Sequence, residues 1–183
     1  MTFNYGGYLI GYNSIIKSQK LITFGIGENW EFEKDFLNKN KNCKIFCYDH
    51  KPILKHLIRL FFISLLFLPT SPSFKFLNYL MKIFNFFKTR KKINFITKHV
   101  SYGSLDKLLT NNLDNNIFLK IDIEGSEYRL LEEIIKHEEK FIGLIIEFHN
   151  ADIHKKIIHD FCIRFNLKLT HIHSCNCGQV DAN

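Results

Sequence analysis

The chain is predicted to be an α/β protein with a doubly wound, mostly parallel sheet and a basic helical insert at about residues 50–92. Three observations predict this. Short apolar runs of strand length alternate with stretches of helical periodicity, the pattern of βα units. Several of those runs end on glycine or on acidic residues, where open sheets of this class place their ligands. At 183 residues the chain is long enough for one domain, 1–183, with a sizeable core. A hydrophobic share of 46% with 19 phenylalanines excludes a disordered polypeptide.

Lys20 to Phe24 reads as the first strand, ending at Gly25-Ile26-Gly27, and Glu31 to Leu37 as the helix after it. Lys44 to Tyr48 is a second strand, ending at Asp49. Beyond the insert, Ile93 to Thr97 is a third strand and Leu105 to Leu109 a short helix. Ile117 to Ile121 is a fourth strand, apolar except for Lys120, followed by a helix signalled by Leu130, Leu131, Ile134 and Ile135. Phe141 to Phe148 is a fifth strand, followed by a helix from about Asp152 to Phe165 and a strand at Leu167 to Ile172.

Charge is concentrated in the insert. Between His50 and Leu105 there is no Asp or Glu, while Lys51, Lys55, Arg59, Lys75, Lys82, Lys88, Arg90, Lys91, Lys92 and Lys98 are all basic. The formal charge of +7 therefore belongs to this segment, and the remainder is net acidic. Leu60 to Leu68 is apolar but for Ser64, yet too short to span a bilayer, which takes about 20 residues. Pro69 and Pro72 break the run. Leu77, Leu80, Met81, Phe84 and Phe87 then fall on one helical face, opposite Lys75, Asn78, Lys82 and Asn85. Such a hairpin either packs on the domain or on a second copy, with its lysines in solvent, or lies on an anionic membrane through 51–92. Nucleic acid is disfavoured, because the aromatics sit within an apolar stripe and not among arginines on a strand platform.

Five cysteines, Cys43, Cys47, Cys162, Cys175 and Cys177, show no paired CxxC spacing, so zinc is not expected and reduced thiols are. Cys175-Asn176-Cys177, after His171 and His173, is expected to be a polar loop. The chain opens without a basic stretch leading to a small-residue cleavage site, so a cytoplasmic location is expected, peripheral at the inner membrane face if the insert binds lipid.

The candidate site is Lys120-Ile121-Asp122-Ile123-Glu124-Gly125-Ser126-Glu127, where the fourth strand gives way to a helix. Asp122 and Glu124 would face a crevice at the strand ends, or else solvate a turn or cap the helix, for which Ser126 also qualifies. Glu147 and His149 follow the fifth strand. Each of these four can supply a base for a hydroxyl nucleophile. Alternatively, several carboxylates at one crevice could hold Mg²⁺. Gly25 and Gly27 allow close approach of a ligand to the backbone, and Asp49 stands where an acid grips ribose hydroxyls. The position of a third dinucleotide glycine is Trp30, which counts against NAD.

Taken together, Phe24-Gly25-Ile26-Gly27-Glu28 with Phe32-Glu33, Tyr48-Asp49-His50, Ser104-Leu105-Asp106, Lys120 to Glu127 and Ile146-Glu147-Phe148-His149 resemble FkbM-type S-adenosylmethionine-dependent methyltransferases. The resemblance covers about residues 5–180 apart from the insert, and Lys120 to Glu127 is its specific element. It implies a class I methyltransferase, Rossmann-like fold and O-methylation of a sugar hydroxyl in glycan or natural-product biosynthesis. It also implies a cofactor pocket shaped by Gly25 and Gly27, with Asp49 on the ribose, Asp122 facing the sulfonium and Glu33 adding a polar contact. Among the bases, Asp122 or Glu124 is favoured, then His149. Two features depart from the pattern. The acid that many such enzymes carry before the first glycine is Phe24, and a further closing strand is expected after the His-rich segment, which points to a truncated carboxyl end. The alternative reading is a catalytically inactive methyltransferase-like domain serving as a membrane- or partner-binding module.

Overall fold

In a computed structural model of the protein, described at residues 8–66, 75–110 and 115–174, five parallel strands form one sheet. They are β1 (Lys20–Phe24), β2 (Lys44–Asp49), β3 (Ile93–Thr97), β4 (Ile117–Ile121) and β5 (Phe141–Ile146), in the order β3-β2-β1-β4-β5. The helices are α1 (Tyr12–Lys17), α2 (Glu31–Lys39), α3 (Ile53–Leu66), α4 (Lys75–Thr89), α5 (Ser104–Leu109), α6 (Leu131–Lys136) and α7 (Lys155–Arg164). This is an α/β, Rossmann-like arrangement. Its strand order reverses between β1 and β4, which opens a crevice beyond their carboxyl ends.

Alternation of side chains along the central strands divides the core between two helical layers. Leu21, Ile45, Cys47 and Phe118 pack with Ile15, Phe36, Leu57 and Phe86 from α1 to α4. Ile22, Phe24, Tyr48 and Leu119 point the other way, onto Leu105, Leu131, Ile134 and Phe161 from α5 to α7. Both faces of β1 and β4 are therefore covered, which is why they read as continuous apolar runs. The N-terminus of α5 is capped from a distance: buried Glu133, on α6, accepts from the N–H groups of Gly103 and Asp106.

Several boundaries differ from expectation. The short helix α1 was not foreseen, since only Ile15 of its six residues is buried and no apolar period is visible. β5 ends at Ile146, so Glu147 and His149 lie on the loop that follows it. The helix expected from Asp152 starts at Lys155, after a turn in which Ile153 N–H reaches Asn150 O at 3.2 Å. The helix after β4 is split into a 3-10 turn, Glu127–Arg129, and α6. No strand forms at Leu167 to Ile172: Leu167 tucks against the core, but Leu169 and Ile172 stand exposed with no partner strand to fix their alternation. Cys43, Cys47 and Cys162 are free thiols, and burial pushes Cys43 up to about 12, whereas Cys175 and Cys177 lie outside the described residues.

The insert is two helices packed on each other, and α4 is turned differently from its predicted orientation. Tyr79, Ile83 and Phe86 face the domain, while Leu77, Met81, Phe84 and Phe87 are exposed. Lys82, assigned to a solvated face, points inward to Glu28 at 3.1 Å. Phe86 meets Trp30 and Phe95, and the second apolar stripe is left outside. No helix among the described residues is long and apolar enough to cross a membrane.

Candidate functional site

Gly25 makes the crevice possible. Its φ is 78°, and a Cβ there would lie 1.6 Å from the carbonyl oxygen of Asp122. Only without a side chain can the ends of β1 and β4 close up, with Asp122 N–H on Phe24 O, while Gly25 N–H reaches Tyr48 O of β2, both at 2.9 Å. Gly27, at φ 56°, faces open space. Its N–H donates to Asp49 Oδ2 at 3.0 Å, and Lys51 N–H donates to Asp49 Oδ1 at 2.8 Å. Asp49 thus ties the glycine turn to the end of β2.

A cavity of about 530 Å³ lies over this turn. Gly25, Gly27, Asp49 and Asp122 line it, with Ile26, Ile53 and Val100 as apolar wall. Its size suits a cofactor-scale ligand. Phe24 does not enter it: the side chain is buried and meets Tyr48 edge-on.

The predicted acids separate into three groups. Asp122 lines the cavity, 31% exposed, and its pKa is raised to about 6 by burial and then by the nearby Glu147 carboxylate. Glu124 is also on the lining, but its side chain is 86% exposed, on a residue at φ 55°. Glu33 and Glu147 lie off the lining. Glu33 is fully buried beneath it, bonded by Thr23 Oγ1 at 2.9 Å and paired with Lys120 Nζ at 3.5 Å. Glu147 accepts from the Tyr8 hydroxyl at 3.0 Å, and burial first, then this carboxylate, holds the tyrosine ionisation above its usual range.

His149 is held by Glu127, a residue assigned no role above. Glu127 is fully buried, and its Oε1 accepts from the N–H groups of Ile123 and Gly125 at 3.0 and 3.2 Å. The same oxygen lies 2.9 Å from His149 Nδ1. With that oxygen accepting, Nδ1 is the donor, and Nε2 points at Glu124 (3.5 Å) and Asp122 (3.9 Å). Burial alone would lower the His149 pKa, but the bond to Glu127 and the nearby carboxylates outweigh it and raise the value. Ser126 makes no side-chain cap, so the loop is organised by Glu127 instead. The available signal was spacing: an acid five residues after Asp122 returns over its own loop when that loop contains a glycine such as Gly125, at φ 95°.

Asp122, Glu127 and His149 bring possible ligand atoms within 4.8 Å of one another, so these three could hold a cation. The expectation for Mg²⁺ was several carboxylates at one crevice; the cluster found holds two carboxylates and a histidine. The chain matches no family model, no curated protein and no solved structure.

The raised pKa of Asp122 carries a stability consequence. Its folded value lies above the unfolded one of about 4, so this group favours folding least once it is ionised. The contribution of Asp122 to stability is greatest below about pH 4, falls between about 4 and 6, and stays at the lower level above that interval. Asp122→Asn is therefore expected to unfold at higher urea at about pH 8, by roughly 1–2 kcal/mol after allowance for solvent screening. The gain should vanish near pH 4, where the native carboxyl is neutral.

Proposed function

We propose that this protein is an S-adenosylmethionine-dependent O-methyltransferase that acts on a sugar hydroxyl. One observation carries the proposal: a cofactor-sized cavity at the strand-order reversal, floored by Gly25 and Gly27, with Asp49 bonded to the Gly27 N–H and Asp122 beside it. The open space above Gly27 lets a ligand approach the backbone, and Asp49 retains acceptor capacity for a ribose diol. Ile26, Ile53 and Val100 offer an apolar wall for a purine. A dinucleotide fits less well, because Trp30 fills the third glycine position with a side chain packed edge-on against Phe86 and Phe95.

When bound, S-adenosylmethionine supplies an electrophilic methyl carbon for in-line displacement by oxygen, a reaction governed by alignment. In place of the Asp122 or Glu124 favoured from the sequence, His149 Nε2, off the lining but 3.5 Å from Glu124 on it, takes the proton of the acceptor hydroxyl, while Glu127 fixes the ring through Nδ1. Asp122, 3.9 Å from Nε2, then stabilises the imidazolium. Glu127 is a positioning residue.

Two measurements test this. Methyl transfer from labelled S-adenosylmethionine to a panel of glycans should label a sugar hydroxyl; no transfer by a chain that binds the cofactor would favour the inactive, module-like alternative. For the base, kcat should rise with pH through a midpoint above the usual histidine value of about 6.5. His149→Gln should lower kcat by about 10²–10⁴-fold. Glu127→Gln should move the midpoint down, because the ring loses its anionic partner; an unmoved midpoint would remove Glu127 from this role.

A further inference from the structure

We propose that the α3–α4 hairpin is a docking surface for an anionic lipid bilayer. Soluble domains normally bury one stripe of an amphipathic helix and leave a polar one outside. Here each helix has a buried stripe and a second apolar stripe in solvent. On α3 the exposed positions are Lys55, Ile58, Arg59, Phe62, Ile63 and Leu66, one face at i, i+3, i+4 spacing. On α4, Leu77, Met81, Phe84 and Phe87 form a matching face. Four of these side chains are more than half exposed: Phe62 59%, Leu66 78%, Met81 67% and Phe84 68%. Contiguous exposure on this scale marks an interaction surface.

Order along the hairpin gives its orientation. The buried residues of α3, Ile53 and Leu57, lie in its first half, and those of α4, Phe86 and Thr89, near its end, so these ends are fixed to the domain. Leu66 and Leu77 lie toward the opposite ends. The cations Lys55, Arg59, Lys88 and Arg90 sit nearer the fixed ends, and Lys75, the first residue of α4, sits at the free end. Seated on a bilayer, the apolar end would enter the acyl boundary while the cations met phosphates, as interfacial helices do. At 14 residues α3 spans about 21 Å, short of the roughly 30 Å hydrocarbon core, so the surface rests on the membrane and does not cross it.

Charge selects the occupant. No acid occurs between His50 and Leu105, and among the described residues the acid that bonds the hairpin, Glu28, is turned inward to His56 and Lys82 at 2.9 and 3.1 Å. A two-fold contact with a second copy would set these cations against each other. An anionic, apolar partner relieves both the exposed surface and the charge. The base of the hairpin borders the cavity through Ile53, His56 and Glu28, so docking would hold the cavity mouth near the headgroups. The surface stands independently of the methyl-transfer reading.

Flotation of the full chain with phosphatidylcholine vesicles, with and without phosphatidylglycerol, tests this. Binding is expected only with the anionic lipid, weakening as salt rises. Lys55→Gln with Arg59→Gln and Lys88→Gln should weaken it by roughly fivefold per cation removed. Phe62→Ser with Met81→Ser and Phe84→Ser should cost at least about tenfold. All these side chains are exposed or at the surface, so the thermal transition should be unchanged, which separates lost binding from lost folding. Folded wild-type protein left in the supernatant with both lipids would overturn the proposal. So would equal binding to neutral vesicles, or a lipid-free dimer, seen by light scattering, that the Phe62/Met81/Phe84 variant dissociates.

Discussion

Lys120→Met is expected to lower the unfolding free energy by about 3–5 kcal/mol, the range for removing one partner of a buried ion pair. Lys120 is a buried charged side chain on β4 that lines the cavity and reaches Glu33 Oε1 at 3.5 Å. Its ammonium also lies 5.0 Å from the centre of the Phe32 ring and 5.9 Å from that of Tyr8. Removing it leaves Glu33 fully buried with only the Thr23 hydroxyl at 2.9 Å, while Oε2 already lacks a partner among the described residues. Methionine keeps most of the volume, so the loss would be electrostatic. The double variant Glu33→Gln with Lys120→Met should therefore recover more than half of the loss. Urea unfolding of the four proteins measures the cycle; additive single effects would show that the pair is not coupled.

Gly25→Ala and Gly27→Ala should separate folding from ligand binding. At Gly25 a methyl group would sit 1.6 Å from Asp122 O and 2.6 Å from Asp122 C, and both are backbone atoms that cannot turn aside. Since φ is also 78°, the expected loss exceeds about 4 kcal/mol, enough to leave much of a marginal domain unfolded. At Gly27 nothing lies within 4 Å, so the backbone cost at φ 56° is only about 1–2 kcal/mol. The added methyl instead projects into open space beside the cavity floor. Gly27→Ala should fold, with a slightly lower thermal midpoint, and bind ligand at least tenfold more weakly if the backbone must be approached closely. Circular dichroism and calorimetry on the same samples distinguish the two outcomes.

The sheet was legible because its strands are bounded by residues with a local meaning. Gly25, Asp49 and Asp122 each follow directly on, or close, an apolar run, and the structure brings all three to one cavity. What the sequence concealed was long-range. Glu33 and Lys120 are 87 positions apart, so the acid on a helix reads as a cofactor contact and the lysine as an interruption of a strand. Glu127 was within the most informative segment, yet its work depends on His149, 22 residues on. Leu167 to Ile172 has strand composition, but an edge strand needs a neighbour and a cover, and composition specifies neither. For α4 the helix was visible and its orientation was not, because Tyr79, Ile83 and Phe86 form a second apolar stripe that binds the core in place of Leu77, Met81 and Phe84.

The central claim is that the cavity is an S-adenosylmethionine site gripped through Asp49. Calorimetric titration of the purified chain with S-adenosylmethionine, beside Asp49→Ala, tests it most directly. The substitution also frees the N–H groups of Gly27 and Lys51, so the folded state of the variant is checked by its thermal transition. Saturable binding by the wild type, abolished in a folded Asp49→Ala protein, is the predicted result. A folded wild-type chain that takes up no S-adenosylmethionine, or a variant that binds it equally well, would contradict the account.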